Sequence, residues 1–314
     1  MSEVIKTATR DAYGKALVEL GNTDAKVLVL DADLAAATKT GMFKKEHPEK
    51  FIDCGIAEGN MMGIAAGLAA SGYTVFASSF AMFAAGRAFE QVRNSIGYPH
   101  LNVKIGATHA GISVGEDGAS HQCLEDMGLM RTIPGMVILN PADAVEARLA
   151  VKAAIDYEGP VYLRFGRLDV PVIFDENYKF EIGKGVELKD GSDVTIIATG
   201  LMVPYAIEAA EELEKEGISA RVINIATIKP IDKDIIIKAA KETGAIVTAE
   251  EHNIMGGLGS AVAEVLVENC PVPMQRVGTN DVFGKSGKPY ELLEAYGLDT
   301  KTIVEKAKKA IASK

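Results

Sequence analysis

Short apolar runs alternate with helical patterns along almost the whole chain, and this alternation is the strongest constraint on its fold. The short runs are rich in β-branched residues and end in polar residues, glycine or proline, as buried strands do. In the first half of the chain the predicted strands cover residues 26–33, 50–56, 73–79, 101–108, 135–141 and 160–166. The predicted helices between them cover residues 9–21, 59–71, 81–97 and 142–157. Such alternation favours an α/β fold, in which a mostly parallel sheet is covered by helices on both faces.

A charged stretch without a helical period, residues 168–190, interrupts the alternation and is predicted to hold a linker with an edge hairpin. The alternation then resumes, with predicted strands at 193–200, 220–227, 245–251 and 274–280 and predicted helices at 203–216, 232–243, 258–268 and 299–312. We therefore predict two open, doubly wound sheets. The first domain is expected at residues 1–170, the linker at 171–190 and the second domain at 191–314. A chain of this length is typically two domains.

Composition excludes several classes of function. The net charge of −10 argues against a nucleic-acid binder. No apolar stretch approaches the ~20 residues of a membrane span, so no membrane partner is expected either. The N-terminus lacks the apolar segment of a secretion signal. The three cysteines have neither metal-ligand nor disulfide spacing, which is typical of a reducing compartment, so we expect a cytoplasmic protein.

Glu58 is the one carboxylate within the small apolar residues that follow Cys54. An unpaired carboxylate is costly to bury, so it needs a partner or a proton. It could simply begin the predicted helix at 59–71, where an acid suits the helix dipole. The alternative is a carboxylate kept for a ligand, because ligands of open α/β sheets bind at the carboxyl ends of strands.

The segment THAGISVGEDGASHQ, residues 108–122, is the densest polar cluster and holds two of the five histidines. Histidines and acids on a loop after a strand suit sugar hydroxyls and proton transfer. A plain surface loop is the alternative. Neither a G-x-G-x-x-G turn after a strand nor a P-loop occurs, so those kinds of nucleotide binding are not expected.

Five segments together resemble the C-terminal half of transketolase, a thiamine diphosphate-dependent enzyme. They are AEGNM (57–61), SSFAMF (78–83), THAGISVGEDGASHQ (108–122), ILNPAD (138–143) and GPVYLRFGRLDVP (159–171). The resemblance covers essentially the whole chain and implies a pyrimidine-binding domain followed by a transketolase C-terminal domain. Chains of this length look like the C-terminal subunit of a split, two-chain transketolase.

The resemblance implies how the cofactor is held. Glu58 would hydrogen-bond the ring nitrogen of the aminopyrimidine and take part in catalysis, and its apolar surroundings would favour its protonated form. Phe80 and Phe83 would enclose the pyrimidine, with Phe83 as the stacking ring. Asp33 would lie near the cofactor. Without Glu58, two phenylalanines at this spacing would be better interpreted as core residues.

The resemblance also implies a substrate channel. His109 would bind the sugar or its phosphate, Asp117 would recognise a hydroxyl of the acceptor, and His121 would help to move protons during catalysis. Arg10 and Arg167 would bind the phosphate, for which the planar guanidinium is suited. For Arg10, a solvated position on the first helix is the alternative.

Two positions depart from the family pattern. Gly86 stands where the family usually has a tyrosine of the pyrimidine pocket, and Ala37 stands where it has a phosphate-binding serine. The pocket is therefore expected to be looser or filled by another residue. Phosphate recognition is expected to be weaker, or shared with Thr38.

The chain lacks one half of a transketolase site. Full-length transketolases hold Mg²⁺ and the diphosphate with a G-D-G motif and a later asparagine. Here EDG (116–118) and KDG (189–191) lack that context. We expect no metal ligands in this chain and an N-terminal partner subunit that carries Mg²⁺ (or Ca²⁺) and the diphosphate. Helices 59–71 and 81–97 would form much of the interface, and a dimer of heterodimers is the natural assembly.

The predicted activity is the transfer of a two-carbon ketol unit from a ketose phosphate, such as xylulose 5-phosphate, to an aldose phosphate, such as ribose 5-phosphate. This reaction belongs to the pentose phosphate pathway. One alternative is a deoxyxylulose phosphate synthase-like enzyme or the beta subunit of a 2-oxo acid dehydrogenase. Another is a non-catalytic assembly or regulatory subunit that kept the fold. The GEDGASHQ segment favours transketolase, and the intact Glu58, His109, Asp117 and His121 argue against the non-catalytic alternative.

Overall fold

The computed structural model describes residues 5–314 as a series of short strands and longer helices. The strands are β1 (Lys6–Ala8), β2 (Val27–Asp31), β3 (Phe51–Asp53), β4 (Thr74–Phe80), β5 (Val103–Thr108), β6 (Val137–Leu139), β7 (Val161–Arg164), β8 (Asp169–Pro171), β9 (Val186–Lys189), β10 (Val194–Ala198), β11 (Ala220–Asn224), β12 (Thr227–Lys229), β13 (Ile246–Asn253) and β14 (Met274–Thr279). The helices are α1 (Thr9–Thr23), α2 (Ala35–Thr38), α3 (Gly41–Glu46), α4 (Glu58–Ala70), α5 (Phe89–Gln91), α6 (Asp126–Arg131), α7 (Ala144–Asp156), α8 (Met202–Lys215), α9 (Lys233–Thr243), α10 (Leu258–Asn269), α11 (Pro289–Ala295) and α12 (Thr300–Ile311).

Two large sheets organise these elements. The first has seven strands in the order β12-β6-β7-β5-β4-β2-β3, and the second has five in the order β14-β13-β10-β11-β9. Every neighbouring pair is parallel except at one edge of each sheet, where β12 and β9 run antiparallel to β6 and β11. The predicted α/β fold with two mostly parallel sheets is confirmed.

The predicted strand at 220–227 is in fact divided between the two sheets. Residues 220–224 form β11 in the second sheet, whereas β12 crosses over and pairs with β6 in the first sheet. A periodic apolar run does not show which sheet each of its residues joins, because both parts are buried. The C-terminal half of the chain thus supplies an edge strand to the N-terminal sheet. The boundaries proposed above for the two domains and the linker stay a prediction.

The predicted hairpin within residues 168–190 is wrong, because its two strands pair elsewhere. The β8 strand pairs with β1, and β9 pairs with β11. Asp143 directs the chain between them: its Oδ1 accepts the Glu146 N–H at 2.8 Å and caps α7, while its Oδ2 accepts the N–H groups of Ile173 and Phe174 at 2.6 and 2.8 Å. These contacts hold residues 173 and 174 at the N-terminal end of α7, so the segment does not fold back on itself as a hairpin.

The predicted helix at 81–97 is a helical segment with two π-helical turns. The turns are Met82–Arg87 and Val92–Gly97, with α5 between them. Their mark is the i→i+5 hydrogen bond, as from the N–H of Ala88 to the carbonyl of Phe83 at 3.1 Å. Turns of this kind are rare and are often found at functional sites.

Side chains from both halves of the chain pack together in the apolar cores. One face of the first sheet packs against α1 and α7, around Tyr13 and Phe76. Its other face belongs to a core that runs from Met61 on α4 to Ile236 and Val262 of the second half. The remaining face of the second sheet packs against α8 and α12. Within residues 5–314, no helix is both long enough and apolar enough to cross a membrane.

Glu146 is a buried polar link between the two halves. Its Oε1 accepts hydrogen bonds from the Tyr178 hydroxyl and the Asn224 amide, each at 2.8 Å, and its Oε2 accepts the Ala142 N–H at 2.7 Å. Burial, the largest influence, raises the pKa of Glu146 from 4.5 to about 7. The protonated form is therefore favoured in the folded state up to about neutral pH.

We expect the folded protein to lose stability as pH rises from 5 to 8, and Glu146→Gln to reduce that slope. In the folded state Glu146 keeps a proton that the unfolded chain releases above pH 4.5. The stability gained from this proton is therefore fully present below pH 4.5 and is lost as the pH rises through 7. This contribution to the free energy of unfolding is about 3 kcal/mol at most. Urea unfolding at each pH measures the slope. Because the glutamine loses the Ala142 hydrogen bond, its overall stability is expected to fall. An unchanged slope in the variant would contradict the assignment.

Candidate active site

The candidate site lies at the carboxyl ends of β2, β4 and β5. These strands are neighbours in the first sheet, and their parallel register brings Asp31 opposite Ser78 and Phe80 opposite Thr108. An open cavity of about 380 Å³ lies at this end of the sheet. Six of the residues that line it carry the argument below: Asp33, Glu58, Phe83, Arg87, Ser120 and His121. The structure thus brings together four of the predicted site residues, which are Asp33, Glu58, Phe83 and His121.

Glu58 is buried and paired with Arg87. It is the first residue of α4, and its side chain is 2% exposed. Nη1 of Arg87 donates to both carboxylate oxygens, at 3.2 and 3.0 Å. The buried carboxylate therefore has a charged partner in this arrangement. The expectation of a protonated Glu58 in an apolar wall stays a prediction. Sequence reasoning missed Arg87, because nothing in the local pattern links two residues that are 29 positions apart.

Four aromatic rings form a continuous cluster beside Glu58. The ring of Phe80 stacks on His109 at a centroid distance of 3.9 Å and on Phe83 at 6.0 Å. His121 meets the Phe83 ring edge-on at 5.3 Å, and its Nδ1 lies 2.9 Å from the Ser120 hydroxyl. Phe80 is buried, whereas Phe83 is half-buried and lines the cavity. Phe83 is therefore the phenylalanine that reaches the cavity, and the Phe80 ring packs against it.

His109 is a neutral ring held in a defined orientation. Burial, followed by the charges of Arg10, Arg167 and Lys39, lowers its pKa to about 3. Nη1 of Arg10 donates to His109 Nε2 at 2.9 Å. An arginine can only donate, so Nδ1 carries the proton and donates to the Thr108 hydroxyl at 3.0 Å.

Arg10 is half-buried and makes hydrogen bonds within the protein, so it is not a solvated helix residue. Besides His109, its Nη1 donates to the carbonyl of Ala37 at 3.2 Å. Its Nε is buried without a hydrogen-bond partner. Burial lowers the pKa of this guanidinium from its ordinary value, the Coulomb effect of Arg167 adding to it. A half-buried cation with a spare donor is well suited to an anionic ligand.

The remaining predicted residues lie outside the cavity lining. Arg167 donates to the Val114 carbonyl and, at 2.9 Å, to the Glu116 carboxylate. Asp117 is exposed at the end of the 3₁₀ turn Ile112–Asp117. Of the described residues predicted for the substrate, Arg10, His109, Asp117 and Arg167 do not line the 380 Å³ cavity. Nor do residues 5–314 contain a group of three or more His, Cys, Asp or Glu side chains arranged to hold a metal ion.

Comparisons with known proteins assign the family. The family model described as the transketolase pyrimidine-binding domain matches residues 5–172, and that of the transketolase C-terminal domain matches residues 183–303. The chain belongs to the transketolase family. The predicted family and the predicted order of its two domains are confirmed.

Several relatives of this transketolase-family chain are of the same length. It is 53% identical to a putative transketolase C-terminal section of Methanocaldococcus jannaschii, with 95% of this chain and 94% of that protein covered. It is 46% identical to a 6-deoxy-6-sulfo-D-fructose transketolase subunit of a Clostridium species, with 95% and 92% covered. A solved structure described as a split gene transketolase, an inactive β4 tetramer, is 57% identical with a TM-score of 0.92, and the match covers 98% of this chain and 99% of that one.

The two departures from the transketolase pattern have structural consequences. At Gly86, an added Cβ would lie 2.4 Å from Cε of Met82, so the methionine side chain occupies the space beside this glycine. Of the two expectations at position 37, weaker phosphate recognition or recognition shared with Thr38, the second is not supported by the contacts of Thr38. Its hydroxyl is buried and donates to Asp31 Oδ2 at 2.7 Å. Asp33 lies at the rim of the cavity, with its N–H donating to Asp53 Oδ1 at 3.2 Å.

The C-terminal domain of the transketolase fold touches the segment that carries Asp117 and His121, a contact that sequence reasoning missed. Gln122 Nε2 donates to the carbonyls of Gly115 and Lys285, at 3.2 and 3.0 Å. At Gly118, which has a φ of +77°, an added Cβ would lie 2.6 Å from the Ser286 hydroxyl. The loop at 281–288 therefore packs closely on the 112–118 turn and fixes its position.

We expect Gln122→Leu to loosen both segments at once. The substitution removes the donor that joins the carbonyls of Gly115 and Lys285, at a cost of about 1–3 kcal/mol. Hydrogen-exchange mass spectrometry should show faster exchange in peptides 112–118 and 281–288. Gln275→Leu, on β14, is the matched control and should leave both peptides unchanged. Faster exchange in only one of the two segments would argue against a joint clamp.

Proposed function

We propose that this chain is the catalytic C-terminal subunit of a two-chain, thiamine diphosphate-dependent transketolase. It would transfer a two-carbon ketol unit from a ketose phosphate such as xylulose 5-phosphate to an aldose phosphate such as ribose 5-phosphate. The observation that carries the proposal is the buried carboxylate of Glu58, which shares one cavity with Phe83 and His121. We place the reaction in the cytoplasmic pentose phosphate pathway. Three cysteines without a disulfide support that compartment.

The residues of the cavity fit the aminopyrimidine of the cofactor. A volume of about 380 Å³ accommodates a single substituted ring. Glu58 offers a buried carboxylate to a ring nitrogen, Phe83 offers an aromatic face, and Asp33 offers a further acceptor at the rim. Once bound, the cofactor supplies the carbon nucleophile that the side chains themselves lack.

The side chains of this chain would orient the ring and move protons. Glu58 would hold a proton between its carboxylate and the ring nitrogen, and Phe83 would keep the ring in plane. His121 has its Nδ1 engaged by Ser120, so Nε2 is the nitrogen that would exchange a proton with a substrate hydroxyl. The low dielectric around the buried carboxylate of Glu58 would strengthen its hydrogen bond with the ring nitrogen.

A separate group of residues would bind the sugar phosphate. His109 is neutral and would act as an uncharged ring, exchanging its hydrogen bond with Arg10 or Thr108 for one to the sugar. Arg10 has a buried donor without a partner, and Arg167 donates to the Ile112–Asp117 turn. Both guanidinium groups would face the phosphate. Asp117 is exposed and would accept a hydrogen bond from an acceptor hydroxyl. The preferred sugar stays open, because a related subunit bears the name of a sulfosugar transketolase.

We assign Mg²⁺ (or Ca²⁺) and the diphosphate to an N-terminal partner subunit. The similarity over nearly full length to a transketolase C-terminal section supports a split enzyme. A related chain is described as an inactive β4 tetramer, which supports both self-association and the need for a second chain. On α4, an added Cβ at Gly63 or Gly67 would meet nothing within 4 Å, so a partner helix can approach closely there. We propose a dimer of heterodimers.

The decisive experiment uses the native complex, captured through a tag on this chain. Thiamine diphosphate, Mg²⁺, xylulose 5-phosphate and ribose 5-phosphate are supplied, and sedoheptulose 7-phosphate is measured. Its formation only when a second chain is present would support the proposal. No product with the second chain present, together with turnover of pyruvate, would favour the deoxyxylulose phosphate synthase or oxo acid dehydrogenase alternative.

Within that complex, we expect Glu58→Gln to slow turnover by at least about 100-fold while the complex still assembles. The amide keeps the shape of the side chain but cannot exchange a proton with the ring nitrogen. Glu46→Gln, at an exposed position on α3, is the control and should keep full activity. Steady-state rates and size-exclusion chromatography give the two readouts. Activity of the Glu58 variant within about twofold of the parent would remove Glu58 from the mechanism.

A further inference from the structure

Arg87 makes two contacts at once on the wall of the cavity. Its Nη1 lies 3.2 and 3.0 Å from the two oxygens of Glu58, and its guanidinium carbon lies 4.5 Å from the centre of the Phe83 ring. A planar cation over an aromatic face and beside a carboxylate is held by both interactions. The side chain is nevertheless 54% exposed, so it lies on the solvent side of the open cavity.

These are the same two groups that the proposed function assigns to the cofactor ring. One face of Phe83 and one carboxylate cannot hold two planar groups together. We propose that Arg87 is a built-in competitor of the aminopyrimidine, which stacks on Phe83 and pairs with Glu58 until the cofactor ring displaces it. This inference rests on the proposed function, since it takes Glu58 and Phe83 as the pyrimidine-binding residues.

The surroundings of Arg87 allow such an exchange. It is the last residue of the first π-helical turn, and the preceding residue, Gly86, has no side chain to restrict its movement. Glu58, in contrast, is buried: its side chain is 2% exposed, so its carboxylate needs a partner at all times. The cofactor ring would therefore replace Arg87 as the partner of Glu58, and the buried carboxylate would not be left without a partner.

The competition would keep the cofactor affinity of the chain low until a partner subunit adds its own contacts. A site that must first release a bound group shows an affinity reduced by the fraction of molecules in which it is open. The arginine would thus link cofactor binding to assembly, and it would shield the buried carboxylate in the chain without its partner.

The test measures ring binding to the isolated full-length chain, without reference to activity. The probe is 4-amino-5-hydroxymethyl-2-methylpyrimidine, titrated by NMR or calorimetry into the parent, Arg87→Ala and Arg87→Gln. We expect both variants to bind the probe at least about tenfold more tightly than the parent. Arg93→Ala, an exposed arginine on the same helical segment, is the matched control and should bind as the parent does. The gain should disappear when Glu58→Gln is added to Arg87→Ala.

Binding by both Arg87 variants that is equal to or weaker than that of the parent would overturn the inference. If the alanine variant fails to fold, the affinity of the glutamine variant alone decides between the two outcomes. The proposed function is judged separately, by sedoheptulose 7-phosphate formation in the two-chain complex. Product from that complex together with unimproved probe binding would therefore reject the competitor role of Arg87 and leave the transketolase assignment standing.

Discussion

The parallel pairing of β2, β4 and β5 is the constraint on which the rest of the site depends. Parallel strands send their carboxyl ends to one edge of the sheet, so residues far apart in the chain meet there. Asp33 follows β2, Phe80 ends β4 and His109 follows β5. The backbone hydrogen bonds place Phe80 opposite Thr108, and the ring of His109, the next residue, stacks on Phe80.

Compensated buried charges shape the site as much as the apolar core does. Glu58 is paired with Arg87, and Asp31 accepts the hydroxyls of Thr38 and Thr40 at 2.7 and 2.8 Å. Below them, Arg164 donates to Asp126 at 2.8 Å, with both side chains at most 3% exposed. Removing one member of such a pair leaves a bare charge and typically costs about 3–5 kcal/mol. These pairs therefore keep the strand ends and loops in a single arrangement.

The second half of the chain has a part in building the site. Its strand β12 completes the first sheet, and its loop at 281–288 packs against the turn that precedes His121. The carboxylate of Glu251 adds a third contact, since it accepts the Ser113 N–H at 2.7 Å. A segment that carries candidate site residues needs rigid support, and here the C-terminal domain supplies contacts of that kind.

The sequence by itself determined the α/β class, the transketolase family and the residues at the strand ends. Those features depend on local periodicity and on short segments, which a linear pattern contains in full. Only the tertiary structure decided the partner of Glu58, the filling of the Gly86 position by Met82 and the use of Thr38 by Asp31. It also decided that β12 leaves the second sheet for the first. Each of these depends on which side chains and strands come within a few ångströms, and spacing along the chain does not fix that distance.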